Sequence, residues 1–332
     1  MRFLTRLFAV LLVLVIVYLF GSHPATPVYE LSVPSVPSAS ATLEKYVADQ
    51  ESKHKIKPDN EARIVWANDS TKQKTEYAIV YLHGFSACQE EGDPVHRNLA
   101  KQFGCNLYLS RLSQHGIDTT DALANMTADN LWESAKEAYA IGKQLGNKVI
   151  LMGTSTGGTL ALQLAAAYPE VAGLVLLSPN IAINDPNAWL LNNPWGLQIA
   201  RLVKGSKFNI IKKDNPEYKK YWNDQYRLEA TVQLEELLET TMINSNFSKI
   251  KQPTLVLYYY KDEQHQDPVV KVSAMKDMFA HLGTSEEQKK MIPIPEAGNH
   301  VLGSPIQSKD IITVEKEAAA FMKETLHLTP VK

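Results

Sequence analysis

The segment Gly153-Thr154-Ser155-Thr156-Gly157 sets a serine between two glycines, with an apolar run on either side. A serine hydroxyl is a weak nucleophile until a base takes its proton. The G-x-S-x-G spacing suits a sharp turn from a strand into a helix, where side chains beside the serine would clash. Such a turn lifts the hydroxyl out at the carboxyl end of the strand, where open α/β sheets bind ligands. The N–H of Thr156 would open the helix, a favourable place for developing negative charge. The same string also reads as a helix cap among small residues, so its companions must decide.

Three companions are present. His83-Gly84-Phe85 follows an apolar run, and an acyl-transfer site needs a second N–H donor facing the oxyanion, a place Phe85 suits. His83 then shapes that loop and is not a base. Gly298-Asn299-His300 follows the last strand-like run; a histidine there can take the serine proton and return it to a leaving group. A carboxylate must fix that imidazole, and the segment Lys261-Asp-Glu-Gln-His-Gln-Asp-Pro-Val-Val270 offers Asp262, Glu263 and Asp267. Asp267 is preferred, because the apolar residues after it can pack down and fix the loop. Asp262 is the alternative acid. His265, between them, is expected to be exposed.

These residues need a scaffold that brings strand ends together. Strand-like runs fall at 63–67, 78–83, 106–110, 148–153, 173–178, 254–260 and 291–294. Several are continuously apolar, as expected of parallel strands covered on both faces. Helical patterns lie between them; the longest has Thr127 as its N-cap and Gly146 at its end. Strands alternating with helices predict an α/β domain with a mostly parallel central sheet flanked by helices. The alternation breaks between about 182 and 247, where no strand is evident and Trp189, Trp195 and Trp222 cluster. That segment is read as a helical cap insertion. With Phe208, Tyr218 and Tyr221, its aromatics either line an acyl pocket or form the insertion's own core.

The order Ser155, Asp267, His300, with HGF, GTSTGG, DPVV, GNH and the loop Arg111-Leu-Ser-Gln-His-Gly116, resembles an α/β-hydrolase-fold serine hydrolase of the carboxylesterase and monoacylglycerol-lipase kind. The resemblance covers roughly residues 60 to 328. It implies Ser155 as nucleophile, His300 as base, Asp267 as acid, Phe85 and Thr156 as oxyanion donors, a structural role for His115, and no cofactor. It implies an ester or lipid-like small-molecule substrate, with thioester, amide and peptide bonds as alternatives on the same triad. A binding protein on a hydrolase fold is the rival outside catalysis. Two departures stand out: three tyrosines, Tyr258 to Tyr260, end the acid-bearing strand, and the loop after them is long.

The rest of the chain bounds the setting. Its 332 residues, 45% hydrophobic and 21% charged, suffice for a large core. A formal net charge of -2 leaves no basic field, so nucleic acid is not expected as a partner. No Cys or His cluster has zinc-site spacing. Cys88 and Cys105 are the two cysteines, too few for a disulfide framework. Residues 1–22 hold Arg2 and Arg6 before an unbroken apolar run from Leu7 to Phe20, which reads as an uncleaved single-pass signal anchor or a cleaved signal. The arginines would stay in the cytoplasm and the catalytic domain would lie outside it. A buried N-terminal helix is the competing reading. Residues 23–59 are a linker and lead-in, Pro- and Ser-rich at the start as in an extended spacer.

Overall fold

The computed structural model describes residues 2–331. Helix α1 (Arg2–Leu19) stands apart from the core, with its apolar side chains exposed around its whole circumference. It is therefore no buried core helix. Among the described residues no helix is long and apolar enough to cross a membrane. The apolar part of α1 begins only at Leu7, and that part rises about 20 Å against a hydrocarbon core of about 30 Å.

Residues 23–38 have no regular structure, but they are not a free spacer. They lie extended against the domain. The Val28 N–H donates to Asp129, the Trp132 indole donates to the Glu30 carbonyl at 2.8 Å, and the Tyr168 hydroxyl donates to the Leu31 carbonyl at 2.8 Å. Helix α2 (Ser40–Glu51) then buries Leu43 and Val47 in the main core. Polar side chains along the strap's path take up its backbone groups, which an unpaired extended segment against protein would otherwise leave unsatisfied.

A seven-stranded sheet follows, in the order β1-β3-β2-β4-β5-β8-β9. Strands β1 (Arg63–Val65), β2 (Thr75–Leu82), β3 (Asn106–Leu109), β4 (Gly146–Thr154) and β5 (Gly173–Leu177) precede the insertion. Only β1 pairs antiparallel; every other pair in this sheet is parallel. The apolar runs of the central strands are buried on both faces, as parallel strands require. Helix α3 (Val95–Gln102) covers one face. Helices α4 (Ala128–Leu145) and α5 (Thr156–Ala167) cover the other. Thr127 caps α4 in a reciprocal capping box with Asn130.

Between β5 and the next sheet strand the chain makes α6 (Gly196–Lys204), β6 (Phe208–Ile210), α7 (Pro216–Tyr221), β7 (Gln225–Arg227), α8 (Leu228–Thr241) and α9 (Asn244–Phe247). The insertion is not purely helical, as the sequence reading had it: β6 and β7 form an antiparallel ribbon. Strands of three residues carry too little periodicity to read. Its second half also returns to the body, since Leu234, Leu237, Leu238 and Phe247 join the core of α4 and α5. The chain ends with β8 (Thr254–Tyr258), α10 (Val272–His281), β9 (Lys289–Pro293) and α11 (Ile311–Glu324), the last packed beside α3.

Candidate active site

Parallel register brings the loops together. Leu82 of β2 lies opposite Gly153 of β4, so His83-Gly84-Phe85 and Thr154-Ser155 leave the sheet side by side. Strand β5 separates β4 from β8, and Tyr258 of β8 lies opposite Pro293 of β9. The acid loop and the histidine loop thus emerge at the same edge.

Ser155 sits at φ 52° and ψ −117°, a conformation that L residues adopt only when the surroundings impose it. Those surroundings are tight. A Cβ on Gly157 would lie 1.9 Å from the Leu82 carbonyl oxygen, and one on Gly153 would lie 2.5 Å from the Gly157 carbonyl. Both flanking positions therefore exclude every other residue. The Ser155 N–H donates to the Leu177 carbonyl at 3.0 Å, and its carbonyl accepts from the Asn180 N–H at 3.0 Å. Strand β5 thereby locks the turn from the other side. Thr156 opens α5, directing its N–H toward the same edge.

Asp267 is buried, and its Oδ2 lies 2.7 Å from Nδ1 of His300. Its Oδ1 accepts the N–H groups of Val269 at 2.9 Å and Val270 at 3.0 Å. Val270 is fully buried and bridges to Ile183. Burial works to raise the Asp267 pKa. The His300 charge and hydrogen bond, with those two N–H groups, outweigh it and hold the carboxyl below its ordinary value. For His300, burial works to lower the pKa. The charge and hydrogen bond of Asp267, with the charge of Glu91, outweigh it, and the imidazole stands above its ordinary value.

Asp262 is placed elsewhere. It is exposed and holds Nδ1 of His265 at 2.8 Å, with the Gln264 and His265 N–H groups on the same oxygen. His265 is exposed as expected. This explains the long loop. Residues 261–265 form a closed turn, Gln266 comes back opposite Tyr260, and the Asp267 N–H donates to the Tyr259 carbonyl at 3.1 Å. The extra residues make a side excursion, and Asp267 re-enters close to the strand end.

His83 is fully buried. Its Nε2 accepts from the Leu112 N–H at 3.0 Å and its Nδ1 donates to the Gly84 carbonyl at 2.9 Å. Burial holds its pKa well below the ordinary value, so the ring stays neutral and ties the Phe85 loop to the next one. His115 is likewise buried, bonded to the Ser113 carbonyl at 2.8 Å, with its pKa pushed down to about 4 by burial. The Phe85 ring packs edge-on against His115 and against Tyr226 of the insertion.

Ser155, Phe85 and His300 line a single cavity of about 770 Å³, walled mainly by apolar residues of the insertion such as Leu191, Ile199, Ile211 and Leu234. Of the insertion's aromatics, Tyr218 and Trp222 both line this cavity and stack on each other at 5.1 Å. With Tyr221 they form a small cluster with Cys88 and Val301, so they serve as pocket wall and local core at once. Trp189 and Trp195 face outward. Cys88 and Cys105 are free and buried, and burial pushes both thiols up to about 12.

One residue of the site escaped the sequence reading. Glu91 is buried beside the cavity, and its carboxylate accepts the Gly84 N–H. Burial raises its pKa to about 7, against the lowering effect of that N–H and of the His300 charge. It thereby holds the backbone one residue before Phe85. In sequence Glu91 is one of two adjacent glutamates and carries no signal of its own.

The chain is 27% identical over 190 residues to a thermostable monoacylglycerol lipase of Bacillus sp. (strain H-257), spanning 57% of this chain and 71% of that protein. Among solved structures it resembles one reported for LipS and LipT, metagenome-derived lipolytic enzymes, with TM-score 0.65 and 17% identity over 81% of this chain and 99% of that one. It also resembles a soluble variant of monoglyceride lipase from Saccharomyces cerevisiae, with TM-score 0.55 and 12% identity over 82% and 92% of the two chains. At such identities the structures speak for the fold. The family profile described as serine aminopeptidase, S33, matches residues 110–298, more than half of the chain and including the Ser155 turn and the Asp267 loop. The chain belongs to this S33 family of serine hydrolases on the α/β-hydrolase fold.

Proposed function

We propose that this protein hydrolyses carboxylic esters with apolar acyl groups, using Ser155 as nucleophile, His300 as general base and acid, and Asp267 as the orienting carboxylate. One observation carries the reading: His300, paired at 2.7 Å with the buried Asp267, lines the same apolar cavity as Ser155. In the first half-reaction His300 takes the Ser155 proton as the hydroxyl attacks the carbonyl. The N–H groups of Phe85 and Thr156 receive the oxyanion, each donor being worth about 3 kcal/mol in comparable sites. His300 then protonates the departing alcohol. Water, deprotonated by His300, cleaves the acyl-enzyme by the same route. Asp267 holds the Nδ1–H tautomer, which leaves Nε2 free to accept the serine proton.

The lipolytic names of the similar proteins support an ester or lipid-like substrate. The family's description keeps peptide bonds in view, and amides and thioesters need no different residues. Labelling of the full chain by a fluorophosphonate, lost in Ser155→Ala and weakened in His300→Ala, tests the activated serine. Ester, thioester and peptide panels of rising acyl length test the bond and the pocket. Absence of labelling in a folded protein would leave a binding role instead. Equal rates from acetyl to long-chain esters would sink the acyl-pocket assignment.

We also propose that α1 attaches the enzyme to a membrane by lying in its surface, since the single-pass crossing expected from the sequence does not fit an apolar helix this short. The support is an apolar helix that buries none of its apolar faces in the protein. Sedimentation of the full chain with lipid vesicles, lost when the apolar face of α1 is made polar, tests attachment.

A further inference from the structure

We infer that the outer edge of the insertion, around α6 and β6, is a seat for an anionic lipid bilayer, so that the acyl cavity opens onto the membrane. The inference rests on the attachment and ester-hydrolase readings above. Two independent observations support it.

The first is composition and exposure. From Arg201 to Lys213 the chain carries five basic residues and no acidic one, interleaved with apolar residues. Leu202 is 83% exposed, Val203 78% and Ile210 58%. Lys204, Lys212 and Lys213 are exposed as well. Of this stretch, Arg201 is committed to Glu229 and Lys207 to Asp121. Exposed large apolar residues beside lysines are costly in water. They suit the boundary of an anionic bilayer, where the apolar side chains enter the acyl region and the ammonium groups meet headgroups. Ile199 and Val203 of the same helix also border the cavity, so this edge is its rim.

The second is a junction between the insertion and the N-terminal segment. The Trp195 indole donates to the Val17 carbonyl at 2.9 Å, and the Trp195 N–H donates to the Ser22 carbonyl at 3.1 Å. Gln198 reaches the Ser22 hydroxyl at 2.6 Å. Gly21 is buried under the Trp195 ring: a Cβ there would lie 2.4 Å from the indole. The end of α1 is thus fastened to the start of α6, and the strap at 23–38 is fastened to the body. Wherever α1 enters lipid, α6 is held beside the entry point. Trp189 and Trp195 then fall at the depth where tryptophans concentrate in membranes.

The test uses the full chain in phosphatidylcholine vesicles with and without phosphatidylglycerol. Both native cysteines are buried, so a fluorophore on Leu202→Cys reports that site alone. A second fluorophore on Lys323→Cys, at the far end of α11, reports the opposite edge of the sheet. Quenching of the first by nitroxide lipids, stronger with phosphatidylglycerol, and none of the second, is expected. An unquenched Leu202 probe in vesicle-bound protein, or equal quenching at both sites, overturns the seat. Shielding without vesicles that grows with protein concentration overturns it in favour of a second copy of the chain. In kinetics, Leu202→Glu/Ile210→Glu is expected to lose about tenfold against a monoacyl ester embedded in vesicles while keeping a soluble butyrate ester within about twofold. An unchanged rate on the embedded ester refutes the seat. If the double variant does not fold, the probes decide alone. Loss of soluble-ester activity in the wild type would remove the hydrolase reading and leave the quenching result standing; failure to sediment with vesicles would remove the attachment reading.

Discussion

Replacing Asp267 by Asn, beside Asp262→Asn as its control, separates the two acids by orders of magnitude. In the proposed mechanism His300, on taking the serine proton, becomes an imidazolium with the Asp267 carboxylate 2.7 Å from its Nδ1. At charge separations near 4 Å and an effective dielectric of about 20, that attraction is about 4 kcal/mol. Its loss alone slows the step about a thousandfold. Asn adds a second defect. Its amide can donate to Nδ1, which puts the ring proton on Nε2 and leaves no acceptor for the serine proton; with both effects the expected loss in kcat is about ten-thousandfold, as in other triads. Asp262 holds only the exposed His265, so its amide variant should stay within about threefold of wild type. The pH profile gives a second readout. On that mechanism activity needs neutral His300, whose pKa stands above the ordinary value because Asp267, with Glu91, outweighs burial. The acidic limb of kcat/KM in the wild type therefore lies above about pH 6.5, the unperturbed imidazole value. In Asp267→Asn the raising charge is gone and burial remains, so the limb moves to lower pH. The assay is hydrolysis of a short soluble ester from pH 5 to 9, with fluorophosphonate labelling to count active sites. A larger loss in Asp262→Asn than in Asp267→Asn would refute the assignment, as would an unmoved limb in a slow Asp267→Asn.

Ser155→Gly should abolish activity yet raise the melting temperature, because glycine relieves a φ of 52° costing about 1–3 kcal/mol; thermal unfolding with an unchanged or lower midpoint would contradict the strain. Gly157→Ala should cost folding or activity outright, since its Cβ would lie 1.9 Å from the Leu82 carbonyl oxygen; a variant with normal expression and rate would show that the turn yields. Glu91→Gln keeps an acceptor for the Gly84 N–H and removes a charge that raises His300, so its acidic limb should shift slightly to lower pH. Folding raises the Glu91 pKa to about 7, so its contribution to stability is full below its unfolded value and is lost as pH rises toward 7. Denaturant midpoints of Glu91→Gln should lack that fall, and parallel wild-type and variant curves from pH 4.5 to 7.5 would dispose of the buried carboxyl's role.

What the sequence disclosed and what it hid divide along a physical line. The serine turn was legible because its constraint is local: two glycines and a serine, with a strand before and a helix after, leave few other conformations. The central strands were legible because parallel strands buried on both faces must be continuously apolar. His300 and Asp267 were legible by place, each following a strand whose end the sheet carries to one edge. The longer acid loop, by contrast, looked like a departure, because a closed side turn cannot be told from a lengthened path by composition alone. Asp262 and His265 resolve it by holding each other, which pins the excursion shut. The strap hid for a similar reason. Its Pro- and Ser-rich composition does predict an extended chain, but the groups that receive it, Asp129, Trp132 and Tyr168, lie more than a hundred residues away.

Glu91 marks the limit most sharply, and it also bears on how the oxyanion loop works. A free carboxylate so near a developing oxyanion would oppose it. Two features of the fold reduce that conflict. Burial lifts its pKa to about 7, which opposes its ionised form, and the charge it carries is shared with the Gly84 N–H. His300 acts in the opposite sense and couples to it. As it gains the serine proton, its positive charge favours the ionised form of Glu91, and ionised Glu91 in turn favours the protonated form of His300. The carboxyl that fixes the loop before Phe85 is therefore coupled to the proton on the base. Asp267 orients the imidazole from one side and Glu91 adds charge to the same site, so the pH limbs of the two amide variants should not be additive. A double variant Asp267→Asn/Glu91→Gln whose limb equals the sum of the single shifts would show the two carboxyls acting independently.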